Sequence, residues 1–492
     1  MAHFRFSGNN PFFKWCAILS TIITLSTTFY IYTYPSSYPA RCSWYNAAQE
    51  KSEIDVNGLD HTSRAIYYTK RYLKDVFKHN VLREAPSKGD EDGGPQDIRM
   101  LAFGDPQIKG IWPNTDYNTR LDIYGNDHYL GHIVSVMEKR LRPSHVVVLG
   151  DLFSSQWIGD SEFYNRSSRY LRRLFHRDTK LLENLKEQEH DDNGLYKIDW
   201  MKWGQALNRK CEAEKPWDLD FGYSDVHSWD PENEDYLFIN VTGNHDIGYS
   251  GDTTYQHLSR YNQIFGKDNY WIEYDRDTDH PWRIVVLNSL LLEGPALQPE
   301  FLDVTWEFLT QLAERNFEGN TILLTHVPFY KEEGLCNDGP NFEYYPEDYP
   351  TEPYKSNLLR SQNHLSEQVT NEVLNLVFYN KKPGIILTGH DHEGCKTIYN
   401  KNFDNDTWTA SKEATSDLAI QEITVRAMMG EFDGNTGLLT GHFNRDQGDW
   451  EFHFKLCPFM VQHVWWVAKI FLNVTLLLWF IVSFYLEYSS EE

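Results

Sequence analysis

The run Tyr236-Leu-Phe-Ile-Asn-Val-Thr-Gly-Asn-His-Asp246 begins as a short apolar stretch and ends in a polar cluster. The design recurs along the chain. Ile98–Phe103 precedes Gly104-Asp105, residues 146–149 precede Gly150-Asp151, and residues 284–287 precede Asn288. Residues 322–324 lead to His326, and residues 385–387 lead to Gly389-His390. Runs of this length, rich in Val and Ile, read as buried strands. Helical patterns at 129–141, 304–315 and 364–378 lie between several of them. Alternating strands and helices predict an α/β sheet. Ligands in such sheets gather beyond the carboxyl ends of strands, and every polar cluster sits at such an end.

Singly, each cluster reads as a turn or a satisfied polar residue. The ordered set carries the weight: Asp105, Asp151, Asn244 with His245 and Asp246, His326, then His390 and His392. Hydrolysis of a phosphate ester explains these residue types. Two divalent cations, roughly 3.5–4 Å apart, neutralise phosphoryl oxygens and make water a nucleophile near neutral pH. A bridging carboxylate sets their separation. Imidazole with carbonyl or carboxylate oxygen suits Mn, Fe or Zn, whereas calcium wants oxygen alone. In Gly389-His-Asp-His392 an extended backbone would point both imidazoles the same way.

These blocks, in this order, resemble the calcineurin-like metallophosphoesterase superfamily. The resemblance implies a four-layer α-β-β-α sandwich. It implies that Asp105 and His392 bind a first metal, that Asp151 bridges, and that Asn244, His326 and His390 bind a second. His245 would face the substrate, and Asp246 would orient His245. One block departs: the usual Asp-x-His reads Asp105-Pro-Gln107, so Gln107 would offer a carbonyl oxygen or leave the position to water. The stretches at 104–110, 120–131, 150–157, 243–248 and 422–426 look like a narrower branch, that of the fungal cell division control protein one and its relatives, over most of the chain. That branch implies a manganese-dependent enzyme of the endoplasmic reticulum or early Golgi membrane. Its substrate would be an ethanolamine-phosphate side branch on a mannose of GPI anchors, as GPI-anchored proteins or GPI glycolipid. Other readings stay open: a phosphoesterase for a nucleotide, lipid phosphate or phosphoprotein, or a non-catalytic trafficking factor that kept the fold. Trp112, Trp157 and Tyr249 follow metal blocks and would suit sugar rings or an ordinary core. Arg426 suits a structural ion pair better than a phosphate, and Asn288-Ser289 suits a supporting role.

Outward from the motifs, 46 basic and 71 acidic residues leave a net charge of −25, which disfavours nucleic acid as a partner. Residues 15–34 and 470–486 are uncharged and near the roughly 20 residues that cross a bilayer. Trp465 and Trp466 suit the interface, and Lys469 would snorkel. The first segment is too long for a typical signal-peptide core and lacks a close Ala-x-Ala site. Arg5 and Lys14 favour a cytoplasmic N-terminus. The chain then divides into a cytoplasmic N-terminus (1–14), a transmembrane helix (15–34), a lumenal stalk (35–96) with a helix at 63–77, a metallophosphoesterase domain (97–458) with an insertion (176–235), a second transmembrane helix (463–486) and a cytoplasmic tail (487–492). Sequons at Asn165, Asn240 and Asn405 fit a lumenal domain, with Asn240 close to the active centre. Of six cysteines, five are lumenal in this topology. One or two disulfides are expected, with Cys336 and Cys395, each just beyond a motif, as the preferred pair.

Overall fold

The computed structural model describes residues 11–46, 58–78, 95–189, 219–222, 235–459 and 462–490, with Lys202 and Gly204. Parts of the expected stalk, at 47–57 and 79–94, and most of the expected insertion at 176–235 lie outside these residues.

The helices are α1 (Pro11–Ser37), α2 (His61–Phe77), α3 (Tyr117–Leu141), α4 (Asp160–Arg169), α5 (Lys180–Glu189), α6 (Asn244–Ile247), α7 (Tyr255–Phe265), α8 (Pro299–Glu314), α9 (Glu367–Val377) and α10 (Gln462–Ser490). The strands are β1 (Ile98–Phe103), β2 (His145–Val148), β3 (Leu237–Asn240), β4 (Tyr270–Tyr274), β5 (Trp282–Val286), β6 (Asn320–Leu324), β7 (Phe342–Tyr344), β8 (Leu359–Gln362), β9 (Gly384–Thr388), β10 (Cys395–Asn402), β11 (Thr407–Ser411), β12 (Ala419–Thr424), β13 (Asn435–Asn444) and β14 (Asp449–Pro458).

The expected apolar runs all form strands, and they divide between two sheets. One has the order β14-β13-β1-β2-β3, the other β11-β10-β12-β9-β6-β5-β4. Strands β1, β2 and β3 are parallel, as are β5, β6, β9 and β12. Side chains alternate across each strand. Met100, Val147 and Ile239 of the first sheet share one apolar cluster with Ile284, Ile322 and Ile385 of the second. The opposite faces, with Leu101, Val146, Leu323 and Ile386, pack with Tyr129 and Met137 of α3, Phe308 of α8 and Leu374 of α9. Apolar contact on both faces is why these strands read as continuous apolar runs. Strands β10, β11, β13 and β14 pair antiparallel and form the outer parts of the two sheets. Their signal is alternation, as in Trp450-Glu-Phe-His-Phe-Lys455, and a search for apolar runs passes over it.

Helices α1 and α10 contain the two apolar segments, and both are long and apolar enough to cross a membrane. They pack together. Thr475 Oγ1 lies 2.6 Å from Ser20 Oγ and 2.8 Å from Thr24 Oγ1, and Trp479 Nε1 donates to Thr21 Oγ1. Helix α3 lies against the domain-side ends of both. His132 Nε2 donates to the Ile31 carbonyl at 3.1 Å, and Tyr129 meets Trp465 edge-on. Cys42 bonds to Cys457, joining the chain after α1 to the end of β14. This pairing was not anticipated, whereas the Cys336–Cys395 pairing was. The first part of the expected stalk does not stand free: Trp44 Nε1 donates to the Leu141 carbonyl and Tyr45 stacks on His453. Of the sequons, Asn165 and Asn405 are exposed. Asn240 is buried and accepts from the Tyr170 hydroxyl at 2.5 Å.

Asp127, on α3, is fully buried among cations. Arg169 reaches its two oxygens at 2.8 and 2.9 Å, and Arg173 lies at 3.0 Å. Removing one member of a buried ion pair strands the other without compensation. Asp127→Asn is expected to destabilise the fold by about 3–5 kcal/mol, read from denaturant unfolding in detergent. A loss under about 1 kcal/mol would place the group in the solvent-screened class.

Candidate metal centre

Every candidate ligand lies just past a parallel strand: Asp105 and Gln107 after β1, Asp151 after β2, Asn244 and His245 after β3, His326 after β6, and His390 and His392 after β9. The site therefore forms where the carboxyl ends of the two sheets meet. Holding side chains there costs backbone strain. Asp105, Gln107, Asp151 and His390 have φ of 45°, 42°, 49° and 74°, a region non-glycine residues seldom occupy. Gly150 has φ 93° and would place a Cβ 2.3 Å from His326 Nδ1, and a Cβ on Gly243 would fall 2.0 Å from the Asp151 nitrogen. Both positions need glycine for the close approach of backbone to site.

The protons on the two inner histidines define the chemistry. His326 Nδ1–H donates to the Leu149 carbonyl at 2.7 Å, and His390 Nε2–H donates to the Gln362 carbonyl at 3.0 Å. Desolvation lowers both pKa values, that of His390 to about 3, so each ring is neutral with its single proton already placed. The remaining lone pairs, on His326 Nε2 and His390 Nδ1, each lie 3.0 Å from Asn244 Oδ1. Asp151 Oδ1 lies 3.5 Å from His326 Nε2. Four electron-pair donors converge with no proton between them. Ligand bonds of about 2.1 Å at right or tetrahedral angles put neighbouring donors about 3.0–3.4 Å apart. The set fits a divalent cation with mixed nitrogen and oxygen ligands.

Beside it, ligand atoms of Asp105, Asp151 and His392 lie within 4.8 Å of one another. Asp151 thus belongs to both groups. Asp105 is fully buried and accepts from the His390 amide at 3.2 Å through both oxygens. Burial, then the Asp151 charge, pushes its carboxyl well above the usual range. Gln107 fills the departing position with its amide nitrogen inward, donating to Asp151 Oδ2 and to His392 Nε2, both at 3.1 Å. Its carbonyl oxygen, the atom expected to serve as a ligand, makes neither contact.

His245 is the outward member. Its backbone amide donates to Asp151 Oδ1 at 2.8 Å, while its side chain is 38% exposed with Nε2 3.8 Å from Asp151 Oδ2. Asp246 requires a correction. Its oxygens accept from the amides of Gly243 at 2.8 Å and Phe153 at 3.1 Å, so it pins the Asn244 loop to the Asp151 loop and does not orient the His245 ring. The Gly-His-x-His segment is also a turn, with His390 in the left-handed region, and not the extended stretch anticipated. The turn sends His390 to the Asn244 group and His392 to the Asp105 group.

Sequence reasoning missed Gln362, whose backbone carbonyl sets the His390 tautomer; a carbonyl leaves no residue-type signal. Asn288-Ser289 does support the site, since Ser289 Oγ accepts from the amide after His326 at 2.8 Å. Of the aromatics, Tyr249 is buried with its ring edge-on to His390. Trp112 and Trp157 are exposed, and Lys355 Nζ sits 4.1 Å over the Trp157 ring. Arg426 pairs with Glu393 at 3.5 Å and Asp433 at 4.0 Å.

No family model matches the chain. Protein TED1 of Saccharomyces cerevisiae is 57% identical over 472 residues, which cover 94% of this chain and 97% of that protein. Cell division control protein 1 of the same organism is 24% identical over 38% of this chain and 33% of its own length. That likeness is narrower than the motifs suggested. Metallophosphoesterase 1 of Danio rerio is 24% identical over 34% of this chain and 45% of its own length. These matches relate the chain to metallophosphoesterases.

The raised Asp105 carboxyl has a consequence for stability. A group that binds its proton more tightly when folded makes the metal-free fold lose stability as pH rises from the ordinary carboxylate range toward the raised pKa. Asp105→Asn removes that charge. In chelator, the variant is expected to melt above the unsubstituted protein, with a gap that widens as pH rises above the ordinary carboxylate range. With a divalent cation in place of chelator the order should reverse, because a candidate ligand is gone. Calorimetry with and without metal checks both halves.

Proposed function

This chain belongs to the family of Protein TED1, and we propose that it is a two-metal phosphodiesterase that removes an ethanolamine-phosphate side branch from a mannose of GPI anchors. The observation that carries the reading is the proton-free convergence of His326 Nε2, His390 Nδ1 and Asn244 Oδ1 beside Asp151. In the proposal Asp105 and His392 hold one cation, Asn244, His326 and His390 hold the other, and Asp151 is shared. Manganese leads, with iron or zinc as alternatives. When bound, the two cations would supply charge neutralisation at the phosphoryl oxygens and activation of water.

The chain's own groups supply the rest. His245, exposed at the rim, faces an incoming phosphoryl group and delivers a proton to the departing mannose oxygen. The oxygen–phosphorus bond to mannose breaks, the water oxygen bonds to phosphorus, and the products are ethanolamine phosphate and a free mannose hydroxyl. Gln107, held against Asp151 and His392, tunes the first site. The apolar cluster shared by the two sheets supports a four-layer α-β-β-α sandwich within residues 97–458. The two spanning helices support a multi-pass membrane protein. Two disulfides and the exposed Asn165 and Asn405 support a lumenal catalytic domain in the endoplasmic reticulum or early Golgi.

Mass spectrometry of GPI glycans from cells lacking the protein tests the substrate: one mannose should retain ethanolamine phosphate, and an unchanged glycan profile would overturn the assignment. The roles separate in variants of the purified protein. Asp151→Ala should lose both metals by elemental analysis. His245→Ala should keep them and turn over roughly 10²–10⁴ times more slowly. Metal loss in the His245 variant would instead make it a ligand.

A further inference from the structure

Helix α2 has no buried residue along its whole length. It is nonetheless firmly placed and strongly two-sided. Ile66, Leu73 and Phe77 are 50%, 58% and 52% exposed. At 3.6 residues per turn they fall within about 40° of one another, an apolar stripe one side chain wide. Asp75 lies about 180° from the centre of that stripe. Its carboxylate meets Arg140 of α3 at 2.8 Å, so the polar back of α2 is turned toward the catalytic domain. On the flank between, the Tyr72 hydroxyl lies 2.9 Å from Thr33 Oγ1 of α1 and its ring meets Phe29 edge-on. Thr33 and Phe29 fall within the stretch of α1 that reads as membrane-crossing. With 1.5 Å of rise per residue, the Thr33 contact lies about 6 Å inside the end of α1 at Ser37. The helix also carries Arg64, Lys70, Arg71 and Lys74 against one acidic residue, Asp75.

From this geometry we infer that α2 is an interfacial helix, lying in the same bilayer that α1 and α10 cross, on the catalytic-domain side. Its Ile66–Leu73–Phe77 stripe is sunk among lipid chains, and the exposed Lys70 and Lys74, about 40° and 80° around the helix from the centre of the stripe, lie among anionic headgroups. The occupant of the stripe is lipid because α2 is held through Tyr72 against the exposed surface of the membrane-crossing stretch of α1, where Phe29 is 53% exposed. Interfacial helices sit about 5–10 Å into the headgroup and acyl boundary, which matches the depth of the Thr33 contact, and basic residues near the surface add attraction to anionic lipid. With α3 packed on the ends of both spans, α2 acts as a third point of attachment. It fixes the tilt of the catalytic domain, and so the height of the metal centre, relative to the membrane.

The inference rests on the membrane-spanning reading of α1, and the test separates the two. Full-length protein with Cys16→Ser is reconstituted in phosphatidylcholine–phosphatidylserine vesicles. A nitroxide is attached at Leu73→Cys, at Leu25→Cys on the exposed face of α1, or at Asp404→Cys in an exposed turn. Its collisions with dissolved oxygen and with a water-soluble nickel chelate are measured by electron paramagnetic resonance. The Leu73 label is expected to favour oxygen as the Leu25 label does, while the Asp404 label favours nickel. A Leu73 label that behaves like Asp404, with Leu25 still lipid-like, overturns the inference and leaves the spans standing. A Leu73 label shielded from both reagents also overturns it, since a second copy or another protein would then cover the stripe. Nickel-accessible Leu25 would remove the spanning reading and the inference with it.

Discussion

The interaction on which the rest depends is the meeting of two imidazole lone pairs at one amide oxygen. His326 and His390 have each given their only proton to a backbone carbonyl, at Leu149 and Gln362, so the nitrogens facing Asn244 are bare. Such an arrangement has no internal remedy, because acceptors cannot satisfy one another. It calls for a cation. The carbonyls that set the tautomers come from a loop after β2 and from strand β8, elements far apart in sequence. The site is thus an outcome of how the two sheets close on each other.

The same closure explains why the centre is strained. Asp105, Asp151 and Asp246 lie buried within reach of one another's fields, and the carboxyls of Asp105 and Asp246 are pushed well above their ordinary range by burial and then by Asp151. Asp246 survives because two amides bind it, and Asp105 because the His390 amide does. Around them four non-glycine residues adopt left-handed backbone. Carboxylates and strained backbone of this kind lower the stability of the metal-free fold, and they are kept where chemistry needs charge.

The two long apolar helices are tied into the fold. The Cys42–Cys457 bond closes the chain between α1 and α10, and α3 rests on both helices through His132 and Tyr129. The two-sheet domain is thus seated on the two apolar helices, which gives the candidate metal centre a defined position relative to them.

Much was legible in sequence. The strand runs, the order of polar clusters and the apolar terminal segments follow from local pattern, because buried parallel strands and membrane helices impose composition on contiguous residues. That Asp105, Asp151, Asn244, His326, His390 and His392 would gather at one place was legible for the same reason: each follows such a strand. Tertiary structure alone decided what depends on long-range geometry. It turned Asp246 from an orienting group into a loop pin, because its oxygens face the Gly243 and Phe153 amides. It brought the Gln107 amide nitrogen, not its oxygen, to His392, and it enlisted the Gln362 carbonyl, an atom every residue owns. It paired Cys42 with Cys457 across 415 residues. Residue type and spacing determine which donors a chain can offer, and only the packed backbone determines which way each one points.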